Sequence, residues 1–418
     1  MSSWPLVALG DVFEIARGGS PRPIDEYITD EADGLNWITI SDASEGSKYI
    51  TRTKRRIRRD GAKRSRMVQP GDFLLTNSMS FGRPYIMRTS GCIHDGWLVL
   101  TRKAENVDSD FFFHLLGSKA VYLEFERRAA GVTVKNLNIE LVKGVRVILP
   151  PLREQRRIAE VLDRADALRA KRRAAVAQLD TLTRSIFLEM FGDPAGNPKG
   201  WQRVPFSQLL VKIDSGWSPT CLDRPSSGGE WGVLKLGAVT WCEYDPTENK
   251  ALPTDVEPVL ELEVRPGDLL FARKNTYELV AACAFVRATP PRLLIPDLIF
   301  RFQLRPDADM DTTFLHQLLI FPTKRREIQR LAGGSAGSMP NISKKRLETA
   351  LIETPPLRLQ REFAARVAAI DKIKATYRAS LAHLDVLFAS LQHCAFRGDL
   401  WPTAPQPPDE SQADVVRA

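Results

Sequence analysis

The sequence predicts an α+β fold: two mixed α/β domains in tandem, separated by two long helices that form an antiparallel coiled coil. Three observations lead to this prediction: a long apolar heptad pattern, a second copy of that pattern, and a weaker repeat of the segments between them. A lone helix cannot bury a heptad seam, so each long helix needs the other as a partner. The duplication gives the chain an approximate two-fold axis.

The first long helix is predicted over residues 150–191. Pro150 and Pro151 can start a helix but cannot continue one, and no further Pro or Gly occurs before Gly192. Apolar residues then recur in alternating steps of three and four, interrupted only by Arg172. The predicted seam consists of Ile158, Leu168, Leu179, Leu182 and Ile186, together with the smaller Val161, Ala165 and Ala175.

The second long helix is predicted over residues 355–400 and follows the first at a constant separation of 205 residues, from Pro150 to Pro355. Both helices begin with Pro-Pro-Leu-x-x-Gln. The same separation carries the seam to Phe363, Ile373, Leu384, Leu387 and Leu391. Two unrelated amphipathic helices, each packed on its own domain, are the alternative, and the shared register argues against it.

The segments before the helices, residues 1–149 and 201–354, are predicted to be related mixed domains. Each contains a Gly-x-Ser-Pro turn and a Val-x-Pro-Gly-Asp-Φ-Leu strand, where Φ is apolar. A turn-rich hinge is expected at 192–200 and a disordered tail at 401–418. In the first domain, β-type runs are predicted at Asn36–Ile40, Asp72–Thr76, Pro84–Met87, Trp97–Thr101 and Val145–Leu149, and a helix at Ser109–Arg128 that recurs at Thr312–Leu331.

Composition bounds the class of protein. The 418 residues suffice for two or three domains, and a net charge of +8 favours a polyanionic partner. The five cysteines are scattered without a Cys-x-x-Cys pair, which favours a reducing compartment over a zinc site or a disulfide framework. No apolar run is long enough to span a membrane, so we expect a cytoplasmic protein.

A two-fold axis and a basic surface suit duplex DNA, whose backbone has a matching dyad. The strongest basic segment, residues 52–66, contains nine basic residues and one acid. We expect it to contact phosphates, although a solvated, flexible loop is the alternative. The equivalent residues 243–263 contain seven acids and one lysine, so the two domains should read different sequences in an asymmetric target. The candidate phosphate contacts are Lys54, Arg55, Arg56, Arg58 and Arg59.

Base readout needs amide, hydroxyl and guanidinium groups on rigid loops. Taken singly, each candidate is more easily explained as a structural or solvated residue, but their clustering in both repeats supports base contact. In the first domain they are Arg17, Ser20, Arg22, Thr39, Ser41, Asn77, Ser78 and Arg83. In the second domain they are Ser218, Thr220, Lys235, Arg273, Lys274, Asn275 and Thr276.

The sequence offers no catalytic machinery. It lacks GxxxxGK[ST], HExxH, a dinucleotide-binding turn and the Asn-Pro-Pro-Tyr tetrad of many DNA methyltransferases. His114 and His316 fall on presumed core-facing helices, where packing is the better explanation. Asp95 and Asp297 precede β-type runs but lack the Glu-x-Lys of a nuclease core. We therefore expect a non-enzymatic chain without a bound metal or cofactor.

The chain resembles the specificity (S) subunits of type I restriction–modification systems to about Leu400. The twin Pro-Pro-Leu-x-x-Gln helix starts, the Gly-x-Ser-Pro turns, the Pro-Gly-Asp-Φ-Leu strands and the duplication carry the resemblance. It implies two target recognition domains that each read half of a bipartite double-stranded DNA site. Leu359-Gln360 departs from the family, in which Glu more often precedes this Gln.

The resemblance also implies that catalysis belongs to partner subunits. Two modification subunits would dock on the chain and methylate adenine with S-adenosylmethionine, and two restriction subunits, with ATP and Mg²⁺, would join in systems that have them. Two other functions stay open from the residues alone: a stand-alone pseudo-symmetric DNA-binding regulator or architectural protein, and an interaction scaffold that does not bind DNA.

Overall fold

A computed structural model of the chain describes residues 4–43, 47–77, 81–129, 137–333 and 339–401. The chain divides into two compact units, and the division cuts both long helices. Unit 1 comprises Met1–Ala174 and Arg378–Ala418, and unit 2 comprises Ala175–Tyr377. The predicted tail beyond Trp401 lies outside the described residues.

Unit 1 contains two five-stranded sheets, with strand orders β2-β11-β8-β9-β5 and β3-β6-β4-β10-β7, and the separate pair β1-β12. The strands are β1 Leu6–Ala8, β2 Phe13–Arg17, β3 Ile28–Thr29, β4 Leu35–Ile38, β5 Tyr49–Ile50, β6 Arg55–Ile57, β7 Arg66–Val68, β8 Phe73–Thr76, β9 Pro84–Met87, β10 Gly91–Ile93, β11 Trp97–Arg102 and β12 Arg146–Ile148. Ile38 and Ile93 of one sheet share a buried cluster with Leu74 and Val99 of the other, so one apolar layer lies between the sheets.

Most helices of unit 1 cover the other face of the first sheet, and the exception, at Arg59–Ala62, packs with Trp37 and Ile57 of the second sheet. They are α1 Leu9–Val12, α2 Arg59–Ala62, α3 Ser109–Leu116, α4 Lys119–Ala129 and α5 Ile139–Lys143. Phe73 and Leu98 of the sheet form one core with Phe111 of α3 and Ile158 of the first long helix. The prediction of one helix over 109–128 is wrong, because Gly117 ends α3 before α4 begins.

The long helix α6 runs from Leu152 to Phe191 and leads into unit 2. The strands there are β13 Arg203–Pro205, β14 Leu210–Ser215, β15 Gly232–Leu234, β16 Asn249–Ala251, β17 Leu269–Ala272, β18 Cys283–Phe285, β19 Leu293–Leu294, β20 Ile299–Leu304 and β21 Leu351–Glu353. The sheets are β14-β20-β17-β18, β16-β15-β19 and the pair β13-β21. The parallel pair β15-β19 matches the parallel pair β4-β10, so unit 2 repeats the topology of unit 1.

The helices of unit 2 are α7 Gly237–Thr240, α8 Thr312–Ile320, α9 Pro322–Gln329 and α10 Lys344–Leu347, and the chain continues into α11 Leu357–Arg397. The predicted helix over 312–331 is also two helices, because Pro322 cannot continue α8 and instead starts α9. His114 on α3 and His316 on α8 are buried, as predicted.

Both long helices start in the same way. The Gln155 side chain is fully buried; its Oε1 accepts from the Asp108 N–H, and its Nε2 donates to the carbonyls of Asn106 and Pro150. Gln360 repeats these three bonds with Asp311, Asp309 and Pro355. The Gln of the Pro-Pro-Leu-x-x-Gln motif therefore ties each long helix to the N-cap of a helix in its own unit.

The two long helices run antiparallel. In unit 1 the first part of α6 packs on the last part of α11, where Arg169 Nε donates to Asp385 Oδ1 at 2.6 Å. In unit 2 the last part of α6 packs on the first part of α11, where the rings of Phe187 and Phe363 lie 5.6 Å apart. These contacts and the two mixed sheet domains confirm the predicted fold class.

One of the two heptad series of the predicted seam lies one residue later in the structure than predicted. Leu168, Leu182, Ile373 and Leu387 are between 45% and 54% exposed, so the prediction that they line the seam is wrong. The positions one residue later, which repeat every seven residues, line the seam instead. They are buried or partly buried and comprise Leu162, Arg169, Val176, Thr183, Val367, Lys374, Leu381 and Phe388. Three of these residues are polar, which is why the apolar pattern pointed to the neighbouring position. Ile158, Leu179, Ile186, Phe363, Leu384 and Leu391 are buried or partly buried.

The two cations in the seam, one in each unit, lie at equivalent positions of the duplicated helices. Arg169 and its partner Asp385 lie in unit 1, and Lys374 with its partner Asp180 lies in unit 2. Each residue of one pair is 205 residues from its counterpart in the other. The duplication has therefore preserved one ion pair between the helices in each unit.

Candidate nucleic-acid interface

In unit 1 the turn at Gly18–Arg22 is held against the loop between β10 and β11. Ser20 Oγ donates a 2.9 Å hydrogen bond to Asp95 Oδ1. Arg17 Nε and Asn77 Nδ2 both donate to the main-chain carbonyl of Asp95, over 3.1 and 2.7 Å. The structure thus brings three predicted site residues together around an aspartate that the sequence had not singled out for binding.

The Asp95 carboxylate, a hydrogen-bond acceptor, lies beside the exposed guanidinium of Arg22. Burial acts to raise its pKa, but hydrogen bonds from Ser20 and His94 outweigh burial, and the pKa lies below its ordinary value. Arg22 Nη2 lies 3.6 Å from Asp95 Oδ2, and the Arg22 side chain is 84% exposed. An ionised carboxylate next to a guanidinium can offer both an acceptor and donors to the edge of a base.

Unit 2 contains the same arrangement around Asp297, at the turn Gly216–Thr220. Ser218 Oγ donates to Asp297 Oδ1 over 2.5 Å, and the Asp297 N–H donates to Ser218 Oγ over 3.0 Å. Arg273 Nε donates to the Asp297 carbonyl over 2.6 Å. We call Gly18–Arg22 and Gly216–Thr220 the anchor turns.

Asn77 and Arg273 occupy the same place in the two units. The N–H of Asn77 donates to the Gly96 carbonyl at the end of β8, and the N–H of Arg273 donates to the Leu298 carbonyl at the end of β17. Both side chains then reach the carbonyl of the anchoring aspartate. The repeat has kept the acceptor and changed the donor from an amide to a guanidinium.

A glycine begins each anchor turn because no side chain fits there. A Cβ on Gly18 would lie 2.1 Å from the His94 carbonyl oxygen, and a Cβ on Gly216 would lie 2.1 Å from the Ile295 carbonyl oxygen. Real Cβ atoms do not approach backbone oxygens so closely. The close approach explains the Gly in Gly-x-Ser-Pro, just as the bond to aspartate explains the Ser.

The basic segment of unit 1 spans β6, α2 and the start of β7. Lys54 and Arg55 are exposed, and their side chains form no hydrogen bond or ion pair with the described part of the chain. The other three predicted phosphate contacts have internal partners. Arg56 donates to the carbonyls of Glu31 and Ala32, Arg58 pairs with Asp60 at 2.7 Å, and Arg59 lies 3.8 Å from Asp33.

The remaining predicted site residues divide by their surroundings. Thr39 Oγ1 bonds Asp42 and lies 2.8 Å from Ser41 Oγ, Lys235 pairs with Glu248 at 2.7 Å, and buried Asn275 accepts from the Thr276 N–H. Thr220, Thr276 and Arg83 are exposed, and Lys274 is half-buried. Ser78 lies outside the described residues.

A cleft of about 1000 Å³ lies within unit 1, beside the long helices. Arg83, Lys119 and Tyr122 line it from the sheet domain, and Arg169, Asp385 and Gln392 line it from α6 and α11. On its sheet-domain side the cleft has two cations, Arg83 and Lys119, among mostly apolar residues such as Ile40, Phe81 and Leu116.

Two further observations concern ligands and membranes. Across the described ranges, no three His, Cys, Asp or Glu side chains come together as a possible metal site. In the same part of the chain, no helix has the length and hydropathy needed to cross a bilayer.

Sequence reasoning missed the two anchoring aspartates and a polar cluster that joins α6 to unit 1. In this cluster Asp163 accepts from Lys48 Nζ at 2.8 Å and lies 2.7 Å from His114 Nε2, while Lys48 also pairs with Asp110. Asp95 and Asp297 did carry a signal, because each follows its anchor turn by about the same distance in the two repeats. The Asp163 cluster has no counterpart at the same spacing in unit 2 and left no such signal.

Comparisons with known proteins agree on one family. Residues 1–178 match the type I restriction modification DNA specificity domain. Over 177 residues, 42% of this chain and 30% of the relative, the chain is 33% identical to the type I restriction enzyme EcoEI specificity subunit of Escherichia coli. The EcoKI specificity subunit of Escherichia coli strain K12 is 23% identical over 95% of this chain and 89% of its own length.

The fold has a solved counterpart of nearly equal length. The type I restriction–modification S subunit from M. genitalium superposes with a TM-score of 0.53 at 15% sequence identity, covering 94% of this chain and 96% of that one. The domain match over residues 1–178 and both relatives therefore agree in their similarity to the specificity subunits of type I restriction–modification systems.

Proposed function

We propose that this chain is the DNA-reading subunit of a type I restriction–modification complex and that each unit contacts one half of a bipartite, asymmetric double-stranded site. The anchor turns carry the proposal. Two units that hold an aspartate in the same way, but surround it with different side chains, suit two related readers of different sequences. Arg22 beside Asp95 and Arg273 beside Asp297 are the donors that we assign to base edges.

Catalysis would lie in partner subunits. Two modification subunits would bring S-adenosylmethionine, and restriction subunits, where the system has them, would bring ATP and Mg²⁺. Half-exposed apolar residues on the long helices support a docking surface for such partners: Leu168 and Leu387 in unit 1, and Leu182 and Ile373 in unit 2. A chain that reads DNA acts where the DNA is, so we propose a cytoplasmic location.

The long helices would set the gap between the two half-sites. One added helical turn in both helices, about 5.4 Å, should lengthen the gap by about one or two base pairs. Methylome sequencing of a host that expresses the lengthened chain with its modification partner measures the gap directly. An unchanged gap would contradict this role of the helices.

Methylome sequencing of hosts with and without the gene tests the proposed function. We expect one bipartite motif to become methylated only when this chain and its modification partner are both present, and no methyl transfer by the isolated chain. Sequence-specific binding without any effect on methylation would favour the stand-alone regulator. A complex that assembles but binds no DNA, whether or not the charges across Lys54–Arg59 are reversed, would favour the scaffold without DNA.

A further inference from the structure

We propose that the two units hold the DNA backbone unequally: unit 1 contacts phosphates through the exposed cations of its basic segment, residues 52–66, and unit 2 reads its half-site without an equivalent set of cations. The inference rests on the proposed function in one respect, that both units contact duplex DNA. The new element is that unit 1 supplies the electrostatic, sequence-independent part of the affinity for DNA.

The two surfaces being compared are structurally equivalent. Strand β6 runs antiparallel to β4, with Arg55 opposite Trp37, and β4 in turn pairs with the parallel strand β10. Strand β16 runs antiparallel to β15, with Lys250 opposite Val233, and β15 pairs with the parallel strand β19. A difference in charge between β6 and β16 is therefore a difference at the same place in the fold.

Within the described ranges, five exposed cations of the basic segment of unit 1 make no side-chain hydrogen bond or ion pair: Arg52, Lys54, Arg55, Lys63 and Arg66. Two of them, Lys63 and Arg66, lie in the stretch that touches the anchor turn, because a Cβ on Gly19 would be 2.7 Å from the Arg64 carbonyl and Ser65 Oγ donates to the Ile93 carbonyl. A phosphate could bind them without breaking an existing bond.

The two lysines on and beside the equivalent strands of unit 2 are already neutralised: Lys250 corresponds to Arg55, and Lys235 follows β15 at the position of Thr39. Lys250 Nζ lies 2.8 Å from Asp223, and Lys235 Nζ lies 2.7 Å from Glu248. The hydrogen bond with Asp223 raises the pKa of Lys250. A phosphate that approached these lysines would meet the negative charge of their partner carboxylates.

The segment of unit 2 that corresponds to the start of β7 contains acids and no cation. By register Glu263 corresponds to Met67, so Leu260 and Leu262 take the places of Arg64 and Arg66, and Glu261 and Glu263 lie next to them. Arg224 is bound by Glu230 at 2.7 Å, and this bond lowers the pKa of Glu230 to about 2. On this side of the fold, the named cations of unit 2 are therefore paired with acids, whereas those of unit 1 are unpaired.

Salt dependence distinguishes the two kinds of surface. Each cation that neutralises a DNA phosphate releases counterions and adds about 0.9 to the slope of log affinity against log salt concentration. Removal of two such cations should lower the slope by about 1.8, and the affinity should fall by the same factor for every sequence. Removal of two lysines that are already paired with acids should leave the slope unchanged.

The test compares two variants with the same change in formal charge, Lys54→Ala with Arg55→Ala in unit 1 and Lys235→Ala with Lys250→Ala in unit 2. The full chain is assembled with its modification partner, and both variants are first checked for wild-type circular dichroism. Binding to a fluorescein-labelled random-sequence duplex and to the methylated motif is measured by anisotropy from about 50 to 200 mM salt. We expect the slope to fall by about 1.8 in the unit 1 variant only, with equal losses of affinity for both duplexes.

Three results would overturn the inference. Equal changes of slope in the two variants would mean that both units contact phosphates alike. A loss confined to the motif duplex would make Lys54 and Arg55 base readers. In both of these cases the proposed function would stand, whereas a wild-type complex that binds neither duplex would overturn the proposed function and this inference with it.

Discussion

Lys374 allows a sharp test of how the helix pair is stabilised, because it places an ammonium group in the seam of unit 2. Its side chain is 10% exposed, and Nζ lies 2.5 Å from Asp180 Oδ1 and 3.5 Å from Glu243 Oε1. The side chains of Asp180 and Glu243 are 51% and 53% exposed. The cation has thus lost most of its water, whereas the two acids have kept about half of theirs.

Substitution of the acid and of the cation should therefore have opposite effects on stability. The loss of one partner of a fully buried pair costs about 3–5 kcal/mol. Because Asp180 is half exposed and Glu243 remains, we expect Asp180→Asn to cost about 1–2 kcal/mol. Lys374→Leu removes the desolvated charge and leaves both acids in contact with water, so it should be neutral or stabilising by up to about 2 kcal/mol.

Thermal unfolding followed by circular dichroism measures the difference. In a domain the size of unit 2, 1 kcal/mol shifts the Tm by about 2–4 °C, so Asp180→Asn should lower the Tm by about 2–8 °C. The control substitutions Glu189→Gln and Lys372→Leu make the same chemical changes at exposed positions of α6 and α11 and should have little effect. A greater loss of stability from Lys374→Leu than from Asp180→Asn would refute the reasoning.

Three further predictions concern the elements that position the site. Gly18→Ala should destabilise the protein by about 1–3 kcal/mol, because its Cβ would meet a carbonyl oxygen. The control Gly196→Ala, whose Cβ would have space, should leave the stability unchanged, and the Tm values of the two variants measure the difference. Gln360→Met should lower the urea midpoint of unfolding, because three backbone groups lose their hydrogen bonds and the buried Pro355 carbonyl alone costs about 1–3 kcal/mol when it is left unpaired. Burial acts to raise the pKa of Asp163, but hydrogen bonds led by the one from His114 lower it below its ordinary value. Its contribution to stability is therefore present above the unfolded-state pKa and is lost as the pH falls through the folded-state pKa, so Asp163→Asn should flatten the acid limb of a Tm–pH profile.

The sequence predicts the long helices well because their pattern is local and occurs twice. A heptad pattern needs only the spacing of apolar residues, and the constant separation of the two copies fixes which positions correspond. It predicts the seam less well. Arg169, Thr183 and Lys374 occupy seam positions as polar residues, and a pattern based on hydrophobicity moves to the apolar neighbour at Leu168, Leu182 and Ile373.

The site is harder to predict, because its geometry depends on partners far away in the chain. Ser20 and Ser218 are polar residues on turns, the usual description of a base contact, yet each hydroxyl donates to an aspartate more than seventy positions later. Whether a lysine is free or neutralised likewise depends on an acid that only the fold brings near, as Asp223 is brought to Lys250. Sequence alone therefore pointed to the two turns and could not separate the residues that build them from those with exposed, unpaired side chains.

The duplication itself helps to make that separation. A hydrogen bond found in both units, such as serine to aspartate in the anchor turns, cannot by itself distinguish two different half-sites, so it belongs to the scaffold. An exposed side chain that differs at an equivalent position, such as Arg22 and Thr220 at the ends of the two anchor turns, is available to carry the difference in recognition. Replacement of either residue by its counterpart from the other unit should therefore change the preferred base only in the half-site read by the altered unit. Replacement of the anchoring serine by alanine should instead weaken recognition of every sequence by that unit.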